Sequence, residues 1–260
     1  MKREQMLCVI IFSAVLTLNS FACTIFTASS GNVVFAGNNE DMCTTNTEIH
    51  LIPGTDGKYG RIFWGFIGDE NYQGGMNEHG LFFDGAGTPS VEMDEWNLPE
   101  FEGRYIFETI LEDCKTVEEA IERVKMYAQP FLQFSHILMA DANGDAVIFE
   151  FGDGRLNFLR KGEKNFLVAT NFNITESENV AKECQRYNIA QEILTKEQPS
   201  VITFEKILSL THQEGDFGTV YSNVCDLKNK KIYLYSFHNF IINKEIDLKL
   251  ALTNGEENIG

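Results

Sequence analysis

The chain has 260 residues and a formal net charge of −17, with 38 acidic against 21 basic side chains. Such a surface repels nucleic acid and anionic membranes, and the length and the 43% hydrophobic content are enough for one sizeable core. Residues 1–22 read as a removable secretory leader: Lys2 and Arg3 at the start, an apolar run from Met6 to Leu18, and small Ser20 and Ala22 flanking Phe21 before the break. The expected organisation is a leader, 1–22, and one domain, 23–260, secreted or periplasmic. No later apolar run reaches the ~18 residues of a membrane helix.

Cleavage after Ala22 would make Cys23 the first residue. A terminal cysteine carries a thiol and a base together, because its free α-amine titrates at about 7.7–8 and can take the sulfur's proton. Cys23 to Ser29 and Asn32 to Gly37 are β-rich runs that predict a hairpin. A turn centred on Ser30-Gly31 places Cys23 opposite Asn38, with Asn39, Glu40 and Asp41 just beyond. Val33-Val34-Phe35-Ala36 is apolar without alternation, as in a strand covered on both faces.

Strands are expected over Glu48 to Ile52 and Arg61 to Ile67; Phe63, Trp64 and Phe66 of the latter read first as core and second as the lining of an acyl pocket. Gly74-Gly75 and Asn77-Glu78-His79-Gly80 punctuate a hairpin returning over Leu81 to Gly85, with His79 as a surface turn residue. Helices follow over Arg104 to Cys114 and Val117 to Ala128, the second opened by a Thr116/Glu119 capping box. Glu112, Glu118, Glu119 and Glu122 read as their solvated face. A meander of strands runs from Ser135 to Thr170, ending at Asn171. Ser177 to Lys196 and Val201 to Gln213 read as helices, Thr219 to Leu227 and Lys231 to Phe237 as closing strands, and Leu250 to Gly260 as a frayed tail. The Asn173-Ile174-Thr175 sequon is discounted because a glycan there would obstruct the site. Strands, helices, strands, helices and strands in that order, without βαβ alternation, predict an α+β layered domain.

Five motifs resemble one family in order: Cys23-Thr24 with its hairpin and the closing Gly37-Asn38-Asn39-Glu40-Asp41; Gly74 to Gly87 (GGMNEHGLFFDGAG); Val168 to Asn171; Cys184 to Ala190; and Thr219 to Tyr235. The chain resembles the choloylglycine hydrolases and penicillin V acylases, linear amide hydrolases that shade into the acyltransferases of penicillin biosynthesis. The resemblance implies a four-layer αββα sandwich of the N-terminal nucleophile type. It implies Cys23 as nucleophile, Asp41 as the carboxylate that holds its amine, Asn171 as an oxyanion donor and Arg186 as a catalytic arginine. Asn38, Asn39 and a backbone N–H near Gly87 are implied at the substrate. The family's hydrolases usually carry Arg-Asn-x-Asp after the hairpin glycine, whereas here Asn38 stands at the arginine's place.

Neither GxSxG, HExxH, P-loop nor GxGxxG is present, and the expected chemistry uses no metal or cofactor. Beyond the leader, Cys23, Cys43, Cys114, Cys184 and Cys225 make an odd count, compatible with two disulfides or with buried thiols. The sequence thus points to a secreted amidohydrolase acting on a small N-acyl amine through a Cys23 thioester. An acyltransferase using the same thioester, and a lipoprotein acylated at Cys23, are the alternatives.

Overall fold

The computed structural model describes residues 23–92, 98–102, 105–176 and 183–254. The predicted leader, the start of the first helix at Arg104, residues 177–182 of the helix expected from Ser177, and the last six tail residues lie outside them.

Two antiparallel sheets face each other. The first has the order β10-β1-β2-β11-β12-β13, built from β1 (Thr24–Ser30), β2 (Val33–Asp41), β10 (Phe166–Ala169), β11 (Thr219–Asp226), β12 (Lys231–Ser236) and β13 (Lys244–Asp247). The second runs β3-β4-β5-β6-β7-β8-β9 in chain order: β3 (Thr47–Ile52), β4 (Arg61–Phe66), β5 (Gly74–Asn77), β6 (Phe82–Gly87), β7 (Ser135–Ala140), β8 (Ala146–Gly152) and β9 (Arg155–Arg160). Helices α1 (Ile106–Asp113) and α2 (Val117–Val124) cover the second sheet, α3 (Gln185–Lys196) and α4 (Val201–Thr211) cover the first, and α5 (Leu248–Asn254) follows β13.

Three apolar clusters fill the three gaps of this αββα sandwich. Strand alternation explains the partition, since successive side chains point to opposite faces. Ile25, Val34 and Ala36 meet Ile62, Trp64 and Phe82 between the sheets. Phe26, Ala28 and Phe35 point the other way, to Phe204, Ile207 and Ala190 of α3 and α4. Phe63, Phe83 and Met139 pack under Phe107, Ile110 and Val117 of α1 and α2. Phe204 sits 4.8 Å from Phe26 and 5.5 Å from Phe35 between ring centroids, and truncating such a side chain typically costs ~3–5 kcal/mol.

Local chemistry sets the helix starts. Thr116 accepts the Glu119 N–H at 3.2 Å, and Ser200 accepts that of Thr203 at 3.1 Å, each satisfying an orphan donor of a first turn. Three expectations are corrected, and one strand is added. Leu248–Asn254 is a helix where a frayed tail is expected, because Leu248 and Ala251 find burial in the inter-sheet core. The second helix ends at Val124. Glu112 is buried, bound to Arg61 at 2.5 Å and Lys58 at 3.1 Å, so it is no part of a solvated face. β13, too short and polar to announce itself, pairs with β12 from Lys244.

Candidate active site

The β1–β2 hairpin places the thiol, in a register that differs from the expectation. Ser30 pairs with Val33 and Thr24 with Asn39, leaving Gly31-Asn32 as the turn. Gly31 has φ of 57°, which suits the first loop position of a type II′ turn, where a side chain is disfavoured. Cys23 therefore lies against Glu40, and Asn38 lies opposite Ile25. Moving the turn centre by one residue shifts every partner by two, so the faces of the strand are preserved.

Alternation then splits the Asn38-Asn39-Glu40-Asp41 run between two sides of the sheet. Asn38 and Glu40 enter the inter-sheet gap. The Cys23 thiol donates to Glu40 Oε1 at 3.3 Å, and Asn38 Nδ2 donates to Glu40 Oε2 at 2.9 Å and to Asp84 Oδ1 at 3.1 Å. Asp84, on β6, also accepts Trp64 Nε1 at 3.0 Å and the Gly85 N–H at 2.9 Å. Gly74 makes this possible: a Cβ there would collide with both Trp64 Nε1 and the Asp84 carboxylate. All of Asn38, Glu40 and Asp84 are buried. Burial pushes the Asp84 carboxyl up to about 7 against its hydrogen-bond donors. Burial first, and then the charge of Asp84, hold the Glu40 carboxyl well above the usual range. Burial, followed by the charges of Glu40 and Asp41, raises the Cys23 thiol.

Asn39 and Asp41 face the helices. Asn39 donates to Leu208 O at 2.9 Å and to Thr211 Oγ1 at 3.1 Å, and accepts Ser222 Oγ at 2.6 Å; this ties β2 to α4 and takes Asn39 away from the thiol's side. Asp41 accepts Thr219 Oγ1 and Gln213 Nε2. Burial lifts its carboxyl to about 6, partly opposed by these donors and by Arg186.

Arg186 and Asn171 come together at the end of β1. One guanidinium nitrogen donates to Cys23 O at 2.6 Å and Thr24 Oγ1 at 2.8 Å, and the other to Asn171 Oδ1 at 2.9 Å. Asn171 Nδ2 in turn donates to Gly87 O at 2.8 Å. A polar chain thus runs from Gly87 through Asn171 and Arg186 to the main chain of Cys23. The loop carrying Asn171 is clamped from below: Glu150 accepts the N–H groups of Ile174 and Thr175 at 2.9 and 2.8 Å, Thr175 Oγ1 at 2.8 Å, and His136 Nδ1 at 2.9 Å. Burial would raise the Glu150 carboxyl, but His136 and these N–H groups hold it below its ordinary value. Asn173 is buried with its amide on Pro89 O at 2.9 Å, consistent with discounting the sequon.

The family model for acyl-coenzyme A:6-aminopenicillanic acid acyl-transferase matches residues 27–239. The chain belongs to this acyl-transferase family. No curated protein sequence matches it. Solved structures with the same fold include a variant of conjugated bile acid hydrolase from Clostridium perfringens, with 17% identity, TM-score 0.68, and 88% of this chain and 93% of that one covered. Penicillin V acylase from Agrobacterium tumefaciens shows 16% identity and TM-score 0.67 over 87% and 86%. The Caenorhabditis elegans ortholog of N-acylethanolamine-hydrolyzing acid amidase shows 15% and 0.55 over 79% and 93%. The fold of this acyl-transferase family member is therefore the N-terminal nucleophile αββα sandwich expected from its motifs.

Between the sheets this fold has a cavity of about 620 Å³ whose lining includes Ile49, Trp64, Ile67, Tyr221, Leu234 and Ile242. Tyr221 pairs with Glu40 on one side and Ser236 on the other, so Cys23, Glu40, Tyr221 and Ser236 form one row across four strands and point into the same gap. Trp64 is at once a cavity wall and the donor to Asp84; its core reading holds. Phe63 and Phe66 are buried in the core. His79 is a half-buried turn residue against Tyr59, with ring centroids 4.4 Å apart. All five described cysteines are free thiols. Among the described residues, His212, Glu214 and His238 cluster closely enough for a metal, but the two imidazoles stack at 4.4 Å and 23°. Near-parallel rings do not aim two nitrogens at one ion.

Glu40, Asp84, His136 and Glu150 are missed by sequence reasoning. His136 and Glu150 are directly paired across β7 and β8, which becomes visible only once the register is known. Glu40 lies next to Asp41 in the motif and needed only the correct turn.

Proposed function

We propose that the protein is a secreted amidohydrolase that cleaves a linear, non-peptide amide of an N-acyl amine through a thioester on Cys23. The observation that carries this reading is the Arg186 bridge, which ties the Cys23 main chain to the Asn171 amide at the mouth of β1. The likeness in fold to a bile acid hydrolase, a penicillin V acylase and an N-acylethanolamine amidase supports the amide substrate class. Removal of residues 1–22 frees the α-amine of Cys23. That amine takes the thiol proton, and the thiolate attacks the amide carbonyl. Asn171 and a backbone N–H near Gly87 receive the developing oxyanion, an effect typically worth ~2.7–4 kcal/mol per donor. Asp41, anchored by Thr219 and Gln213, serves in this reading as the carboxylate of the ammonium, which then protonates the leaving amine. Water releases the acid from the thioester. The apolar walls of the inter-sheet cavity suit the acyl group.

The test is amine release from a panel of N-acyl amides by the processed protein and its Cys23→Ala variant. Turnover should disappear in the variant with little change in thermal unfolding; turnover at the parent rate removes Cys23 as nucleophile. The family match favours a second reading, in which an amine and not water takes the acyl group. Added amine acceptors that divert product from acid to new amide would establish transfer.

A further inference from the structure

The Glu40–Asn38–Asp84 cluster is unused by the mechanism above, although Glu40 is, among the described residues, the side chain hydrogen-bonded to the sulfur that reacts. We propose that Glu40 is a further catalytic residue, a neutral carboxylic acid whose O–H donates to the Cys23 thiolate, with Asp84 as the anion that keeps it neutral. The inference rests on Cys23 being the nucleophile.

The geometry gives each carboxyl a distinct role. Asp84 collects three N–H donors, from Trp64, Gly85 and Asn38, and can keep its charge in a buried site. Glu40 collects the Asn38 amide and the thiol. The two share one Asn38 nitrogen, and two carboxylates this close in a dry gap do not both ionise readily. Asp84 therefore takes the charge and Glu40 the proton. In the resting site the thiol is the donor to Oε1; once the sulfur has lost its proton to the α-amine, the direction must reverse. Only a neutral Glu40 has a proton to give, and the proton stays on Glu40 throughout.

The surroundings agree. Facing Glu40 are Cys23 from β1, Asp84 from β6 and Tyr221 from β11, with Asp41 next to it on β2; the guanidinium of Arg186 lies at the Cys23 carbonyl. An ionised Glu40 would oppose the thiolate, and its charge is among the causes raising the thiol. The Asn38 N–H pulls the Glu40 carboxyl down only against the larger effects of burial and the Asp84 charge, which raise it, whereas a cation at that position would draw Glu40 into its ionised state. The substitution of Asn for the arginine expected by resemblance and the presence of an acid two residues later are thus one device.

The experiment compares Glu40→Gln and Glu40→Ala in protein purified as the cell delivers it. Glutamine keeps an oxygen for Asn38 and an N–H for the sulfur but cannot ionise. Alkylation of Cys23 by iodoacetamide, followed by mass spectrometry of its peptide across pH, should be within about threefold of the parent for Glu40→Gln at neutral pH. It should fall about tenfold for Glu40→Ala, one hydrogen bond to an anion, and at high pH Glu40→Gln should overtake the parent, whose Glu40 ionises. Infrared spectra of the parent and of Asp84→Asn, taken above the Asp84 value of about 7, should show a neutral-carboxyl C=O band that Glu40→Gln removes. An unchanged band means Glu40 is ionised and overturns the proposal whatever the alkylation shows. Glu40→Gln as slow as Glu40→Ala also overturns it, because the carboxyl would then be acting as a base. If both variants are faster than the parent, Glu40 is an ionised group that hinders the thiol, and the proposal is likewise wrong. Loss of amide hydrolysis in every variant and the parent, with these responses intact, would count against the amidohydrolase reading and not against Glu40.

Discussion

Arg186→Ala separates positioning from folding. The Arg186 side chain's hydrogen bonds to Cys23 O, Thr24 Oγ1 and Asn171 Oδ1, at 2.6–2.9 Å, are the ones that hold the site. Hydrogen bonds to a charged group typically contribute ~1.5–3 kcal/mol each, but Arg186 is only half-buried and water can reach part of the vacated space, so the total falls near the lower limit of two such bonds, ~3 kcal/mol. For a chain of this size that is a drop in Tm of roughly 6–12 °C. On the proposed mechanism the rate should suffer separately: Asn171, left with Gly87 O, loses its aim as oxyanion donor, at ~10²–10³ in kcat. The assay is kcat for amine release beside a thermal melt, with Arg186→Lys as control, since one ammonium cannot span both Cys23 O and Asn171 as the planar fork does. A melt shifted as expected with kcat reduced less than tenfold would refute the positioning role and leave Arg186 as a structural tie.

Appending one alanine before Cys23 converts its amine into an amide without touching any side chain, so activity should fall by the ~10²–10⁴ of general-base assistance while the melt barely moves; full activity would transfer the base to a side chain. The Asp41 carboxyl, lifted by burial to about 6, is ionised above that pH and neutral below it, so the rate should fall as pH drops through about 6, and Asp41→Asn should lose that acid limb; an unchanged limb in the variant would assign it elsewhere. Asp84 has a folded value near 7, above its ordinary 3.8, mainly through burial. Its contribution to stability is therefore present below about 4 and lost as pH rises through about 7, by up to ~4 kcal/mol. Asp84→Asn should flatten the decline of Tm between pH 4 and 7, whatever its effect on Tm at any one pH, and an unaltered slope would show that Asp84 does not carry it.

The sandwich was legible because its signals are local: a hairpin around a glycine, a capping box, short strands separated by Asp-Ala-Asn-Gly and Gly-Asp-Gly turns. The positions of Cys23, Asn171 and Arg186 were legible for another reason, as motifs in a familiar order. What escaped was pairing at long range. Asp84 and Glu40 are 44 positions apart and meet only because β2 and β6 face each other across the gap between the sheets. His136 and Glu150 needed the β7–β8 register. Glu112, charged and on a helix of mixed polarity, gave no hint that Arg61 would be waiting beneath it, because ion-pair burial depends on what a neighbouring strand presents.

The hairpin turn shows how a small misreading can move a chemical assignment without disturbing the fold. Centring the turn one residue later leaves the same side chains pointing into the same gap, so Asn38 and Glu40 remain inward and Asn39 and Asp41 outward under either register. What changes is which inward residue touches the sulfur. With Asn38 opposite Cys23 the thiol would face a neutral amide; with Glu40 opposite, it faces a group that can hold or lose a proton. The four residues after Gly37 then divide into two services. The outward pair ties β2 to α4 and to Thr219 and Gln213, and the inward pair links the sulfur to a second carboxyl on the opposite sheet. A strand with period two can do both at once, which is why this run is buried along its whole length although every one of its side chains is polar.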